Sequence, residues 1–482
     1  MNYMKEDEVN MTNVNISFKP TGDPFVDAGG EALKYLIDFY PQKTVAELID
    51  DMANIFIYKW DNKIDSVQLN SNITHNTRRG SQEKKNKAII AVREYYKDTP
   101  ISYAKDEIQH CRICGKSGIL LKAGREQFCL SGSEPFVNFY HSHEEGLLIC
   151  KDCSIKLFFL PLIVIQIGNM LALLQTNNQR SQNYWVHKTV KENLDKIGKN
   201  NSEGIIKSEY GSPKNALFKI ASDIITEVND DLFTDYLQLY HFTNFGASPN
   251  CEIYRLPNPV FSFLNKVIRY CHSDWSIFVQ RHYHIKKSSW DYTGDQWISG
   301  KDNQTMSEGD YLNNPNDVFE RLLNDDSILG LLRKFYRDVY IHNKKHSQIT
   351  MAIYYIKEVL GMRQEQIDLI KKVANVVFDL AQKEHTYKKY LVMLEGAGKA
   401  YQLRSVLLRI IKENYKSGAA EPVVRLQDYV DYLFPDGQFW GEVRDLMLIY
   451  LYERLHDENI NRQDVVDTSD IAETAEETNE GA

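Results

Sequence analysis

Residues 21–30 read "TGDPFVDAGG", and what they fold into turns on two glycines where a helix should not want them. Asp23 followed by Pro24 starts a helix: an N-cap carboxylate, then the residue best tolerated in the first turn. The continuation "FVDAGGEALKYLIDFY" keeps helical spacing, with Phe25, Gly29 and Leu33 on one face. Gly29 and Gly30 then fall in the second turn, where each costs about 0.8–1 kcal/mol relative to alanine. A helix carrying that cost twice needs another backbone, or a ligand, closer than a Cβ would permit. The free N–H groups of the first turn would welcome phosphate, but Asp27 beside them repels it. A peptide chain, from this protein or a neighbouring subunit, is therefore favoured over an anion.

The 482 residues are 43% hydrophobic and 26% charged, ordinary globular composition with length for two or three domains. The formal charge of −9 is unevenly spread: between Asp457 and Ala482 nine acidic residues face one arginine, so the rest of the chain is near neutral. That tail, 457–482, has few large apolar residues and no aromatics, and is expected to be disordered. Net charge thus argues neither for nor against nucleic acid. The opening "MNYMKEDEVN" is polar and acidic, so no signal peptide is expected. Of seven cysteines, Cys129, Cys251 and Cys271 show no disulfide-framework spacing, which favours a reducing cytoplasm.

The uncharged run "LFFLPLIVIQIGNMLALLQTNNQ" (157–179) approaches the ~18–20 apolar residues that span a bilayer. Pro161, Gln166, Gly168 and Asn169 interrupt it, so it reads as buried core, with no membrane partner.

Along the chain, "NIFIYKW" (54–60) and "IDSVQL" (64–69) alternate and are rich in β-branched and aromatic residues, so they read as strands. "SEGIIKSEYGSPKNALFKIASDIITEV" (202–228) reads as a loop followed by a helix. "NFGASPNCEIYRLPNP" (244–259) reads as an irregular connection. From Asn316 the texture changes to successive amphipathic segments with short Gly-, Ser- or Pro-bearing links. In one of them Ile367, Ile370, Val373, Val377 and Leu380 form a stripe. Short links between such helices imply an antiparallel bundle. The expected fold is α+β: a large mixed N-terminal domain over 1–315 with an inserted four-cysteine zinc-finger element at about 105–160, then a C-terminal helical bundle over 316–456.

The strongest chemical signal is "HCRICGKSG" followed by "LLICKDCSI". Cys111-x2-Cys114 and Cys150-x2-Cys153 supply four thiolates at the spacing of a closed tetrahedral Zn²⁺ site, and Gly115 lets the first knuckle turn. With all four positions taken by protein, the zinc is structural. His110, His141 and His143 lie nearby as surrounding or surface groups.

Enzyme motifs fail on inspection. "GAGKA" (396–400) has Ala400 where a phosphate loop needs Ser or Thr, and "HEEGL" (143–147) lacks the second histidine of a zinc protease. No catalytic residue is assigned. Three basic clusters are candidates for nucleic acid: Arg78, Arg79, Lys84, Lys85 and Lys87; then Arg281, Lys286 and Lys287 among Trp275, Tyr283 and Trp290; then Lys388, Lys389, Arg404 and Arg409 in the bundle region. Lys and Arg neutralise phosphates and aromatics stack on bases. Solvated faces are the competing reading of each cluster.

Taken together, "TGDPFVDAGGEAL", the paired knuckles and the terminal bundle resemble the large subunit of type I CRISPR effector complexes (Cascade), in the type I-B branch. The resemblance implies a non-catalytic subunit near the 5′ handle of the CRISPR RNA. It would recognise the protospacer-adjacent motif on target double-stranded DNA, aid duplex opening and recruit the helicase–nuclease. Its partners would include the backbone and handle-binding subunits and the small subunits, which the bundle itself resembles. Asp23, Pro24, Asp27, Gly29 and Gly30 would form the family's N-terminal contact. In related systems an internal start yields the bundle alone; by position Met351 would give a product of 132 residues. Three alternatives stay open: an unguided zinc-stabilised nucleic-acid-binding protein, a cryptic nuclease, and the same subunit serving a transposon.

Overall fold

Asp23 and Pro24 do start a helix. In the computed structural model α1 runs Pro24–Phe39, and the Asp23 carboxylate accepts from the Phe25 and Val26 N–H groups at 3.0 and 2.9 Å. The structure describes residues 16–60, 64, 81–98, 109–118, 120–125, 127–131, 137–139, 144–228, 236–243, 250–344, 349–419, 421–434 and 440–465. It is mixed helix and sheet, with a helical C-terminal region. Its contacts divide the chain into two units, one of 1–220 with 235–255, the other of 221–234 with 256–482. The dividing residue Leu256 lies upstream of the change in sequence texture at 316.

In the first unit α1 is followed by α2 (Val45–Asn54), entered through a reciprocal capping box between Thr44 and Glu47. "NIFIYKW" is not a strand: α2 runs straight on into a π-helical turn, Ile55–Trp60. Phe56, Ile57 and Trp60 are buried at i, i+1 and i+4, with Phe56 against Phe158 at 5.4 Å between ring centroids. So short a run of β-branched and aromatic residues fits either period, and the capped helix before it decides the matter. Ile64 is buried; the rest of "IDSVQL" lies outside the described residues. Next come α3 (Gln82–Arg93), β1 (Leu120–Ala123), β2 (Val137–Phe139), β3 (Glu144–Glu145), β4 (Leu147–Cys150) and α4 (Lys151–Phe158).

The uncharged segment after α4 turns through Leu160–Leu162 into the hairpin β5 (Ile165–Ile167) and β6 (Met170–Thr176), with Gly168 at φ +58° in the turn. Leu160, Leu162, Ile163, Ile167 and Leu171–Leu174 are buried, as core residues should be. Among the described residues, no helix is long and apolar enough to cross a membrane. After α5 (Gln179–Gly198) and α6 (Pro213–Val228), β7 (Leu237–Thr243) and β8 (Asn250–Leu256) complete a sheet ordered β5-β6-β7-β8, with β5–β6 and β6–β7 antiparallel. β8 corrects the reading of "NFGASPNCEIYRLPNP" as wholly irregular: Gly and Pro bracket an edge strand whose side chains are mostly exposed. Edge strands need little apolar alternation, so the pattern gave no sign of it.

The second unit begins with α7 (Asn258–Tyr270), α8 (His272–Arg281) and the hairpin β9 (Ser288–Asp291) with β10 (Gln296–Ser299). Helices follow: α9 (Glu308–Tyr311), α10 (Asp317–Leu323), α11 (Leu329–Ile341), α12 (Thr350–Glu358), α13 (Gln364–Glu384), α14 (Tyr387–Glu395), α15 (Ala400–Lys416), α16 (Leu426–Asp428) and α17 (Trp440–Asp457). α17 packs against α11, α13, α14 and α15, and its burial runs round the helix, from Val443 and Leu446–Ile449 to Leu451, Tyr452 and Leu455. All five residues of the Ile367–Leu380 stripe are buried.

The chain does not become disordered at Asp457. A 3-10 turn, Arg462–Asp464, follows α17; the Tyr340 hydroxyl donates to the Ile460 carbonyl at 3.1 Å, and Arg462 Nη1 to the Ile341 carbonyl at 3.0 Å. Val465 is only 4% exposed. One buried valine, one backbone carbonyl and one arginine anchor residues 457–465, which the acidic count had concealed. Residues 466–482 lie outside the described residues.

Candidate metal centre and basic faces

The glycines of α1 are explained within the first unit. α1 packs on α4, and a Cβ on Gly29 would overlap the Lys156 carbonyl oxygen and stand 2.8 Å from its carbon. Gly30 meets only the side chain of Lys156, whose Cδ would lie 3.1 Å from the added carbon. Lys156 is itself 3% exposed, its methylenes over Gly30 and its Nζ 5.8 Å from the ring centroid of Phe18. The approaching backbone is therefore the chain's own.

Asp27 faces the turn before the helix. It accepts from the Thr21 N–H (2.8 Å), the Thr21 hydroxyl (2.8 Å) and the Gly22 N–H (3.0 Å), closing residues 21–27 into a ring. Asp27→Asn, which keeps one acceptor oxygen of two, is expected to cost about 1 kcal/mol. Urea titration of the two chains checks this; identical midpoints would show that the ring contributes nothing.

α4 begins at the second knuckle. Cys150 ends β4 and is the N-cap of α4, and Cys153 lies in its first turn. β4 pairs antiparallel with β1 in the register Leu120↔Cys150 to Ala123↔Leu147. The first knuckle is a tight turn: the Gly115 N–H donates to the Cys111 carbonyl and the Cys111 N–H to the Lys116 carbonyl, both at 2.9 Å, with Gly115 at φ +73°. The Arg112 N–H donates to the Leu148 carbonyl (2.9 Å), and the Lys116 ammonium pairs with Asp152 at 2.8 Å. Turn, hairpin and helix N-terminus thus bring four sulfurs together across a 35-residue separation.

All four Sγ atoms lie within 4.8 Å of one another, with Cys114–Cys150 at 3.5 Å and Cys111–Cys153 at 3.9 Å. Zn–S bonds of about 2.3 Å in a tetrahedron place sulfurs about 3.8 Å apart, so the cluster has the size of a tetrathiolate site. Disulfides, at about 2.05 Å, are not formed. Electrostatics points the same way. S–H groups of Cys150 and Cys153 stabilise the Cys111 thiolate and hold its pKa far below the thiol range. The same hydrogen bond to Cys111 pushes Cys150 up to about 12 and, with that to Cys150, Cys153 higher still. A thiolate at Cys111 opposes charge on Cys150 and Cys153; a divalent cation removes that conflict. The donor set therefore fits a metal ion. His110 turns its Nδ1 to the Ser117 hydroxyl (2.9 Å) rather than to the sulfurs. His141 and His143 lie outside the described residues. Among the described residues no other group of three or more His, Cys, Asp or Glu side chains converges in this way.

The basic candidates sit on separate elements. Arg78 and Arg79 lie outside the described residues. Lys84, Lys85 and Lys87 are on α3: Lys87 pairs with Glu83 (2.9 Å), Lys85 lies over the Tyr58 ring, and Lys84 is exposed. Arg281 is drawn inward; it pairs with buried Asp338, donates to the Tyr292 hydroxyl (3.0 Å) and stacks on that ring. Lys286 and Lys287 are exposed between α8 and β9. Lys388 is exposed on α14, while Lys389 pairs with Glu384 at 3.1 Å. On α15, Arg404 lies over the Phe434 ring and Arg409 pairs with Glu413 at 3.0 Å. Sequence reasoning missed the acids that take up Arg281, Lys389 and Arg409, the first of them 57 residues away. It also missed three exposed apolar side chains on α15, Tyr401, Leu408 and Tyr415, visible as a strict seven-residue repeat.

No protein-family model matches this chain, and no curated protein matches it. Fold and site together define a mixed helix-and-sheet protein with a four-cysteine cluster compatible with a metal ion and a helical C-terminal region.

Proposed function

We propose that this chain is the non-catalytic large subunit of a type I-B CRISPR RNA-guided complex, and that its four cysteines hold one structural Zn²⁺. One observation carries the reading: the opening motif and the second knuckle, more than a hundred residues apart, meet in one construction, with Gly29 of the opening motif seated on the helix that Cys150 begins. In this role the guide RNA supplies sequence specificity, while the protein reads a short motif on duplex DNA and positions the backbone. Cysteines 111, 114, 150 and 153 would hold the metal, leaving no open coordination position for chemistry. Lys84, Lys286 and Lys287, all exposed, are the strongest candidates for phosphate. Cytoplasmic residence, the RNA and DNA partners and the recruited helicase–nuclease belong to this proposal.

The second reading, an unguided zinc-stabilised nucleic-acid-binding protein, shares the cluster and the lysines. Gentle purification of the tagged chain from its host, followed by sequencing of the RNA that accompanies it, separates the two. Short RNAs with a constant repeat-derived handle, near-stoichiometric and with a repeated backbone subunit, are expected. Their absence under conditions that preserve complexes would transfer the weight to the unguided binder. Neighbouring genes then distinguish defence from a transposon.

A further inference from the structure

The outer side of α15 is unlike the rest of the bundle surface. Tyr401, Leu408 and Tyr415 are 62%, 66% and 78% exposed and recur every seven residues, so they line one stripe about 21 Å long. Arg409, Lys412 and Lys416 flank it on one side. Arg409 is engaged by Glu413; Lys412 and Lys416 make no ion pair among the described residues. Glu413 is turned away, bound to the Tyr390 hydroxyl at 2.6 Å, so no carboxylate lies on the stripe itself.

The chain carries a matching segment. Residues 466–482 hold six acidic residues and no base, with Ile471 as a large aliphatic among them. They start at buried Val465, just beyond α17, and α17 packs on α15. α17, of 18 residues, is about 27 Å long, whereas 17 extended residues reach about 55 Å. Tethering at this distance gives an effective concentration of order mM, which a separate partner must exceed.

We propose that the acidic segment 466–482 docks on the outer face of α15 of the same chain, with Ile471 over the Tyr401–Leu408–Tyr415 stripe and its carboxylates on Lys412 and Lys416. The match is one of opposite charge plus apolar contact, and it holds whether or not the chain belongs to a CRISPR complex. One consequence is that the segment would screen this face from other polyanions.

Zero-length carbodiimide cross-linking of the full chain at low salt, after nuclease treatment, tests the docking. The monomeric fraction should yield bonds from Glu473, Glu476 or Glu477 to Lys412 or Lys416. Those bonds should be lost near 1 M salt, where the Debye length is about 3 Å. They should also fall several-fold in the Tyr401→Ser/Leu408→Ser chain, which keeps both lysines and alters only exposed positions. Bonds confined to a dimeric fraction would overturn the proposal in favour of a second copy. Bonds to other lysines, or none at all, would overturn it outright. Nucleic acid that protects Lys412 and Lys416 before nuclease treatment, with no tail bonds after it, would give the face to nucleic acid instead. Because the readout needs no guide RNA, failure here is distinct from failure of the CRISPR reading.

Discussion

Cys153→Ser is expected to release the metal and to unfold the first unit at temperatures the parent chain withstands. Structural Zn²⁺ sites contribute about 10–16 kcal/mol of apparent binding energy, comparable with or above the 5–15 kcal/mol that stabilises a whole domain. The loss spreads by a traceable route. The sulfurs fix the N-terminus of α4 and its junction with β4; α4 presents the Lys156 carbonyl on which α1 is seated; and Phe25 of α1 packs on Phe242 of β7 at 5.0 Å. Metal content by elemental analysis should drop from one ion per chain to none. The thermal transition should move down by many degrees, while the second unit's transition stays in place. Cys251→Ser, remote from the cluster in sequence and outside the sulfur group, should change neither reading. A metal-free chain with the parent's melting profile would sink the structural role.

Gly29→Ala should destabilise by about 3 kcal/mol or more, whereas Gly30→Ala should be neutral or slightly stabilising. Both changes recover about 0.8–1 kcal/mol of helix propensity. At Gly30 the new methyl meets the Lys156 stem, a flexible chain that can shift by a few tenths of an ångström. At Gly29 it meets the backbone of α4 itself, so α1 and α4 must separate; overpacking of this kind costs about 1–3 kcal/mol and more where nothing can yield. Chemical denaturation of the two single variants gives the comparison directly. Equal effects, of either sign, would mean that the α1–α4 contact is not the reason for the glycines.

The four-cysteine cluster was legible because each C-x2-C pair states two candidate ligands locally; the hairpin and helix that bring the two pairs together were not. The glycine pair was legible as a need for close approach, and its own chain was among the approaches expected; that the answer was α4 depends on contacts 127 residues apart, which no local pattern carries. "NIFIYKW" misled because alternation over so few residues is equally compatible with one face of a buried helix. β8 was hidden because an exposed edge strand has little apolar alternation. The basic clusters show the limit most clearly. Arg281 and Lys286 look alike in sequence, yet one is neutralised by Asp338 within the unit and the other stands in solvent. A charge can be counted from sequence, but its availability is a property of the packing.

The packing of α11 on α17 bears on how the gene could be read. Met351 is buried within α12, and translation begun there would omit α11 altogether. The shortened product would present to water the side of α17 that α11 covers. It would also lose the Arg333–Asp445 pair at 2.9 Å and the Tyr340–Ile460 hydrogen bond. Asp445 would keep Arg444, but the apolar flank of α17 would have no cover of its own. Such a protein would be sticky alone and settled only in company: its yield should follow that of whatever replaces α11, and expressed without it the 132 residues should be found in inclusion bodies or in the hands of a chaperone.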